Sequence, residues 1–294
     1  MTMDTLKTDA RFRLGRWNNL SITRFTDHGA YLDGGAGVEI LMPRRYVQPE
    51  MRPHDVVRVF VYLDQSERLV GTTEQPLAEV GQFAWLKVNW VNEFGAFLDW
   101  GLMKDLFVPF SEQKRTMEEG RRYVVHLHVD PQTCRIVGSA KVERYLRRTR
   151  PVLHRDEAVE VLVWQKTPLG FKVIVNHAFA GQLYDDQLFG AELHTGDRLT
   201  AYVVQVRPDY KIDLSLQRLG KSRFRDFAEV LLGALREADG FLPLTDNAPA
   251  DEISARFGVS KKTFKRAVGT LYRRRLVTLE PEGIRLLPAD GTTA

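Results

Sequence analysis

The segment from Gly81 to Lys141 begins GQFAWLKVNWVNEFGAFLDWGLMKDLFVPF and ends GRRYVVHLHVDPQTCRIVGSAK. Apolar residues recur along five short runs, near Gln82–Val91, Gly95–Trp100, Leu106–Pro109, Tyr123–Val129 and Cys134–Ala140. A period of two is the mark of a strand with one buried face. Glycines and an Asp-Pro pair stand at the corners, where the chain needs positive or fixed φ. Five short strands with tight bends predict a small Greek-key barrel of the OB type, an architecture that commonly holds single-stranded nucleic acid.

Within this segment Phe94-Gly95-Ala96-Phe97-Leu98 marks the bend between the first two strands. Gly101-Leu102, Phe107-Val108-Pro109-Phe110-Ser111, Gly120, Asp130, Arg135-Ile136 and Ser139 come after it in order. Together these anchors resemble the S1 RNA-binding domain. The resemblance implies a barrel face that carries two aromatics, a position on the third strand and a closing Asp…Arg pair.

The pattern occurs three times. Before it, Phe25–Asp33 repeats the spacing of Val91–Asp99, Ile40–Pro43 and Val56–Leu63 supply further strands, and Asp64 and Arg68 take the closing places. Gly34–Gly37 reads as a hairpin turn; neither Lys-Ser/Thr nor a helix comes after it, as a phosphate-cradling loop requires. After it, Val159–Gln165, Leu169–Val173, Gly181–Tyr184, Leu199–Val206 and Lys211–Leu216 form a third copy. This copy departs at the bend, where Leu169 and Lys172 replace the aromatics. Between the second and third copies Val142–Arg155 is rich in arginine, and Glu143 with Arg147 is an i,i+4 pair that favours one helical turn. The stretch is either a solvated linker or a strip that contacts phosphates.

Beyond Gly220 the apolar period changes to 3.6. Ser222 is expected to cap a helix reaching Ala238, with Phe224, Phe227, Val230, Leu231 and Leu235 on one face. A short helix, Ala250–Phe257, ends at Gly258; Ser260 caps a further helix over Lys261–Arg275, and a hairpin spans 276–287. Helix, helix–turn–helix and hairpin predict a winged helix. Lys261, Lys262, Lys265, Arg266, Arg273 and Arg274 are its candidate nucleic-acid contacts. The helix has no Asn or Gln to read base edges, so sequence reading is not expected; its cations point either to phosphate contact or to a purely structural or protein-docking role. Gly269, in mid-helix, is expected to mark close packing or the approach of another backbone.

The expected fold is therefore mainly β with an α+β C-terminal domain: three tandem OB-fold, S1-like barrels followed by a winged helix. The boundaries read 11–74, 77–142 and 157–218 for the barrels, 143–156 for the basic linker and 221–288 for the winged helix. This order, with VSKKTFKRAVGTLYRR in the recognition-helix place, resembles the bacterial conserved virulence factor B family. The resemblance implies an RNA-binding post-transcriptional regulator without a catalytic centre, in the cytoplasm. It also implies RNA contacts at Phe94, Phe97, Asp130 and Arg135 in the second copy. The matching residues are His28, Tyr31, Asp64 and Arg68 in the first copy, and Lys172, Tyr184, Arg207 and Lys211 in the third. Pro43 and Pro109 stand at the third-strand position. Core packing is the alternative for Phe94 and Phe97; Trp85, Trp90 and Trp100 are expected in the core or at a barrel edge.

Bulk properties agree with such a chain. Its 294 residues suffice for two to four small domains, and a net charge of +4 is compatible with an anionic partner. One cysteine, Cys134, excludes an internal disulfide and suits a reducing compartment. No secretion signal or membrane span is expected. His126 and His128 share a strand face near Cys134, but three ligands at this spacing fit no common zinc pattern, so neither metal nor cofactor is expected. No acidic pair spaced for two metals and no nucleophile–base arrangement is present in the sequence, so an enzyme acting on a small-molecule substrate is not expected. The expected partner is single-stranded RNA, with duplex nucleic acid possible at the winged helix. The rivals are a DNA-binding regulator led by the winged helix and a scaffold on the ribosome or polymerase.

Overall fold

A computed structural model describes residues 11–218, 221–245 and 248–287. The side chains of Ser222 and Phe224, and the turn at Asp246-Asn247, lie outside the described residues.

Three closed five-stranded barrels succeed one another along the chain. The first is built from β1 (Arg16–Thr26), β2 (Gly29–Asp33), β3 (Glu39–Pro43), β4 (Val56–Leu63) and β5 (Leu69–Thr72), closed in the order β1-β2-β3-β5-β4. The second comprises β6 (Phe83–Val91), β7 (Gly95–Asp99), β8 (Leu106–Pro109), β9 (Arg122–Val129) and β10 (Ile136–Ser139). The third comprises β11 (Ala158–Thr167), β12 (Gly170–Val175), β13 (Phe179–Tyr184), β14 (Arg198–Val206) and β15 (Ile212–Ser215). In each, the third and fifth strands pair parallel and the other neighbours antiparallel, which closes the Greek key. The inward residues, such as Ile22, Leu32 and Ile40 or Leu86, Leu98 and Leu106, are fully buried. Gly34–Gly37 is the β2–β3 turn, closed by Gly34 N–H to Val38 O at 2.8 Å.

The bend glycines are required by contact. A Cβ on Gly29, at φ +141°, would lie 2.1 Å from Met42 O; one on Gly95 would lie 2.3 Å from Val108 O; one on Gly170, at φ +130°, would lie 2.1 Å from Leu183 O. The third strand of each barrel crosses directly over the bend and leaves no room for a side chain.

The barrels are packed together. Phe60 and Tyr62 of the first barrel meet Trp100 of the second edge-on, with centroids 5.8 and 6.4 Å apart. Phe83, Val124, Val142 and Leu146 pack with Leu162 and Ile174 at the second seam. The basic stretch is thus anchored at its start. Its one helical turn, α1 (Val142–Tyr145), ends before Arg147, so the expected Glu143–Arg147 pair does not form. Glu143 pairs with Lys114 at 3.1 Å instead, and Arg144 with Glu112 at 3.2 Å.

The C-terminal domain has α2 (Lys221–Glu237), β16 (Phe241–Leu242), α3 (Ala250–Phe257), α4 (Lys261–Arg273), β17 (Val277–Glu280) and β18 (Gly283–Leu286). The sheet order is β16-β18-β17. Ser260 caps α4, its hydroxyl accepting from Thr263 N–H at 3.3 Å. Phe264, Ala267, Val268 and Leu271 are buried against Phe227, Leu231 and Ile253. Val230, expected on the buried face of α2, is exposed. Gly269 has open space around it, so no close packing explains it.

Two glycine substitutions should therefore differ in sign. Gly269→Ala should raise stability by about 0.5–1 kcal/mol, the helix-propensity difference. Gly29→Ala should lower it by about 1–3 kcal/mol through backbone strain. Denaturant unfolding of the full chain measures both.

Candidate nucleic-acid interface

Each barrel carries the same irregularity in its first strand. The β1–β2 register shifts between Ile22 and Arg24, β6–β7 between Val88 and Trp90, and β11–β12 between Val163 and Gln165. A bulge adds one residue to a strand and moves the residues after it to the other face. Strict alternation after Leu86 and Val88 would send Trp90 into the core. The bulge at Asn89 turns it outward, where it is 43% exposed.

There Trp90 lies flat on Phe97, with centroids 3.7 Å apart and planes 4° from parallel. Phe97 meets Phe107 at 4.9 Å. Asp105 holds the indole from its edge, accepting from Trp90 Nε1 at 3.0 Å and from Asn89 Nδ2 at 2.9 Å. Phe94, at the bend, is 64% exposed, and its N–H is held by Asn92 Oδ1 at 2.9 Å. The three ring-bearing positions are consecutive cross-strand partners, Trp90 to Phe97 to Phe107. The same row in the first barrel reads Arg24, Tyr31 and Leu41, and in the third Gln165, Lys172 and Gln182. Only the second barrel of the three presents an aromatic row.

This row lines a cleft of about 680 Å³ that reaches to the first barrel, whose Tyr62, Gln65 and Glu67 form the facing wall. Lys104 bridges the two barrels there, donating to Asp64 O at 2.7 Å; burial pulls its ammonium pKa below the ordinary lysine value. A second cleft of about 630 Å³ continues over β8 and shares Phe107, Arg135 and Val137 with the first. Arg135 stands at the junction, ion-paired with Glu67 of the first barrel. Phe94, Phe97 and Arg135 are thus brought together, and Asp130 lies in the continuing groove.

Several expected contacts have another structural task. Asp130 accepts from the Thr133 hydroxyl at 2.6 Å and holds the β9–β10 turn. Asp64 does the same for the β4–β5 turn and clasps Arg68 through two bonds of 2.7 and 2.9 Å. Both carboxyls are held below the ordinary aspartate pKa: hydrogen bonds from Thr133 dominate for Asp130, and bonds from Arg68 and Ser66 outweigh burial for Asp64. Each carboxylate thus closes its own turn in the structure. Tyr31 is roofed by the Arg24 guanidinium at 3.9 Å, and Arg24 is tied to Glu39 at 2.7 Å. His28 is exposed at the bend. In the third barrel Lys172 is exposed, while Arg207 binds Asp213 through Nε at 2.7 Å and bonds the Tyr184 hydroxyl. Lys211 pairs with Asp209 at 2.8 Å.

His126 stacks on Tyr145 of α1 with centroids 4.2 Å apart, and His128 meets the same ring tilted by 37° at 4.8 Å. Cys134 sits in the β9–β10 turn, and no group of three or more His, Cys, Asp or Glu suited to a metal occurs among the described residues. Burial first, and the neighbouring imidazoles second, lower the His126 pKa to about 4. On α4 Lys262, Lys265, Arg266 and Arg273 are exposed and Lys261 is half-buried; Arg274, the C-cap, is also exposed. Arg274 pairs with Glu229 of α2 at 2.9 Å, and Arg273 bonds Gly269 O at 3.1 Å.

Trp90 is the residue that alternation hid. Trp100 is buried as expected, bonding Lys104 O through Nε1 at 2.6 Å. Trp85 is half-buried at the seam with the third barrel.

Comparison with known proteins bears on both ends of the chain. The S1 domain model matches residues 14–74, and the model of the CvfB-like winged helix domain matches residues 229–286. Uncharacterized protein YitL of Bacillus subtilis is 28% identical over 289 residues, covering 93% of this chain and 94% of its own. Conserved virulence factor B of Staphylococcus aureus (strain N315) is 23% identical over 252 residues, covering 81% and 84%. A crystal structure of a multidomain protein with nucleic acid binding domains from Streptococcus pneumoniae is 25% identical, with a TM-score of 0.40 over 93% of this chain and 98% of that one. No helix among the described residues is long and apolar enough to cross a membrane. S1 and winged-helix modules are nucleic-acid-binding domains, and this chain carries both.

The buried imidazole has a consequence for stability. Unfolded histidine takes up its proton near pH 6.5, whereas folded His126 resists until about 4. Unfolding therefore binds a proton between these values, and native stability should fall as pH drops from about 6.5 to 4, by on the order of 2–3 kcal/mol from this group. His126→Phe should flatten that slope in urea unfolding measured across the window.

Proposed function

We propose that this chain, a member of the conserved virulence factor B family, binds single-stranded RNA and regulates bacterial gene expression after transcription. It does so as a non-catalytic binding protein of the cytoplasm. The observation that carries the proposal is the aromatic row lining the cleft, exposed Trp90 with half-buried Phe97 and Phe107, beside exposed Phe94. Flat rings stack unpaired bases at about 1–3 kcal/mol per base, whatever the base. A paired base has both faces covered by its neighbours in the helix, so such a row favours single strands. The cleft's length over two barrels suits several successive nucleotides, and Arg135 stands where a phosphate would pass.

The winged helix supports a second contact. Lys262, Lys265 and Arg266 are exposed on α4, the recognition-helix place. With no Asn or Gln on that helix, the contact would go to phosphates. The regulatory role rests on the family alone, and a DNA-binding regulator would use the same helix.

Fluorescence anisotropy with labelled single-stranded RNA and duplex DNA, at several salt concentrations, tests the proposal. RNA should bind more tightly, with log K falling as log salt rises. Phe97→Ala should weaken RNA binding about tenfold, the loss of roughly one stacked base, and leave duplex binding unchanged. Unaltered RNA affinity in that variant, or preference for the duplex, would remove the platform from the mechanism.

A further inference from the structure

A smaller cleft, of about 290 Å³, lies at the seam between the second and third barrels, away from the aromatic row. Trp85 and Tyr123 line it from one barrel and Trp164 from the other, with Lys114, Arg115 and Arg122 around them. Trp164 is the bulge residue of β11, the counterpart of Asn89. Two ammonium groups attend its ring, Lys172 at 5.5 Å and Lys114 at 5.8 Å. Lys114 also pairs with Glu143 at 3.1 Å. Arg115 and Arg122 are exposed and make no ion pair among the described residues. Lys87, the cross-strand partner of Arg122, adds another exposed cation.

The walls are fixed. His177 Nδ1 accepts from Phe83 N–H at 3.0 Å, and Arg198 donates to Phe83 O at 3.0 Å. Gly196 lies so close to Trp85 that a Cβ would fall 2.2 Å from its Cδ1. The barrels are thus docked backbone to side chain, and the cleft is a product of that docking. The loop after β8 connects it with the larger groove: Ser111 and Glu112 line the groove, Lys114 and Arg115 the seam.

Aromatic walls with surplus cations match a base and its phosphate. We propose that the seam is a second RNA subsite that takes one nucleotide of a single strand. Its base lies against Trp164 and Tyr123, and its phosphate lies between Arg115 and Arg122. The volume is at the small end for ligand sites and suits one nucleotide, not a helix. The subsite rests on the RNA-binding reading above and extends it: a strand on the Trp90–Phe97 row continues past the β8 loop into the seam. Neither contact need be strong, because a strand held at one is at high effective concentration at the other.

The test uses the full chain with two RNAs, of about 6 and about 16 nucleotides, within the span of OB-fold site sizes. The Arg115→Glu, Arg122→Glu double variant should bind the longer RNA about tenfold more weakly and the shorter one unchanged. Its slope of log K against log salt on the longer RNA should be shallower by about 0.7, the value for the one phosphate that the two arginines share. Trp164→Leu, which keeps apolar volume at the seam, should weaken the longer RNA alone, with thermal melting as the control for folding. Equal losses on both lengths, or none on the longer, would overturn the subsite. The platform is judged separately: it fails if Phe97→Ala leaves the short RNA's affinity untouched.

Discussion

A single inserted residue shapes the functional face of this protein. The β6 bulge at Asn89 reverses the inward–outward alternation of the strand, so that a tryptophan due for the core stands outside. Once outside, it can lie flat on Phe97, and Asp105 fixes its edge. Without the extra residue Trp90 would compete with Leu98 and Leu106 for core volume, and Phe97 would lose the neighbour that braces it. A ring held in place on a strand loses little freedom when a base stacks on it, which is the benefit of preorganisation.

The same scaffold is used to different ends in its other two copies. Bulge, bend glycine and parallel closure recur in all three barrels. In the first, the exposed row is closed off by internal pairing, with Arg24 between Tyr31 and Glu39. In the third the row is polar, and Arg207, Asp213 and Tyr184 bind one another. The flanking barrels nevertheless contribute walls. The first supplies Glu67 and Tyr62 to the platform cleft, and the third supplies Trp164 to the seam. The packed interfaces at Phe60–Trp100 and Phe83–His177 therefore shape the two clefts as well as holding the barrels together.

Much of the fold was legible in the sequence because it rests on local rules. Period-two runs located β6 to β10 within one or two residues, and the 3.6 period with Ser260 and Gly258 located α3 and α4. The site was less legible, for reasons that are not local. Trp90 was hidden because a bulge leaves no residue signature and breaks the count by one. Asp64 and Asp130 also close their own turns, a task that their place in the repeat does not reveal. Glu143 found Lys114 across space instead of Arg147 along the helix, since the helix ends first. The clefts between barrels depend on docking that no single repeat encodes.

The central claim is that the second barrel's aromatic row is where unpaired bases lie. Its most direct measurement is photocrosslinking of the full chain to a single-stranded RNA carrying 4-thiouridine, with the joined peptides identified by mass spectrometry. The account predicts crosslinks in β6 and β7, at or beside Trp90, Phe94 and Phe97. Crosslinks confined to the first barrel, the third barrel or the winged helix would contradict it.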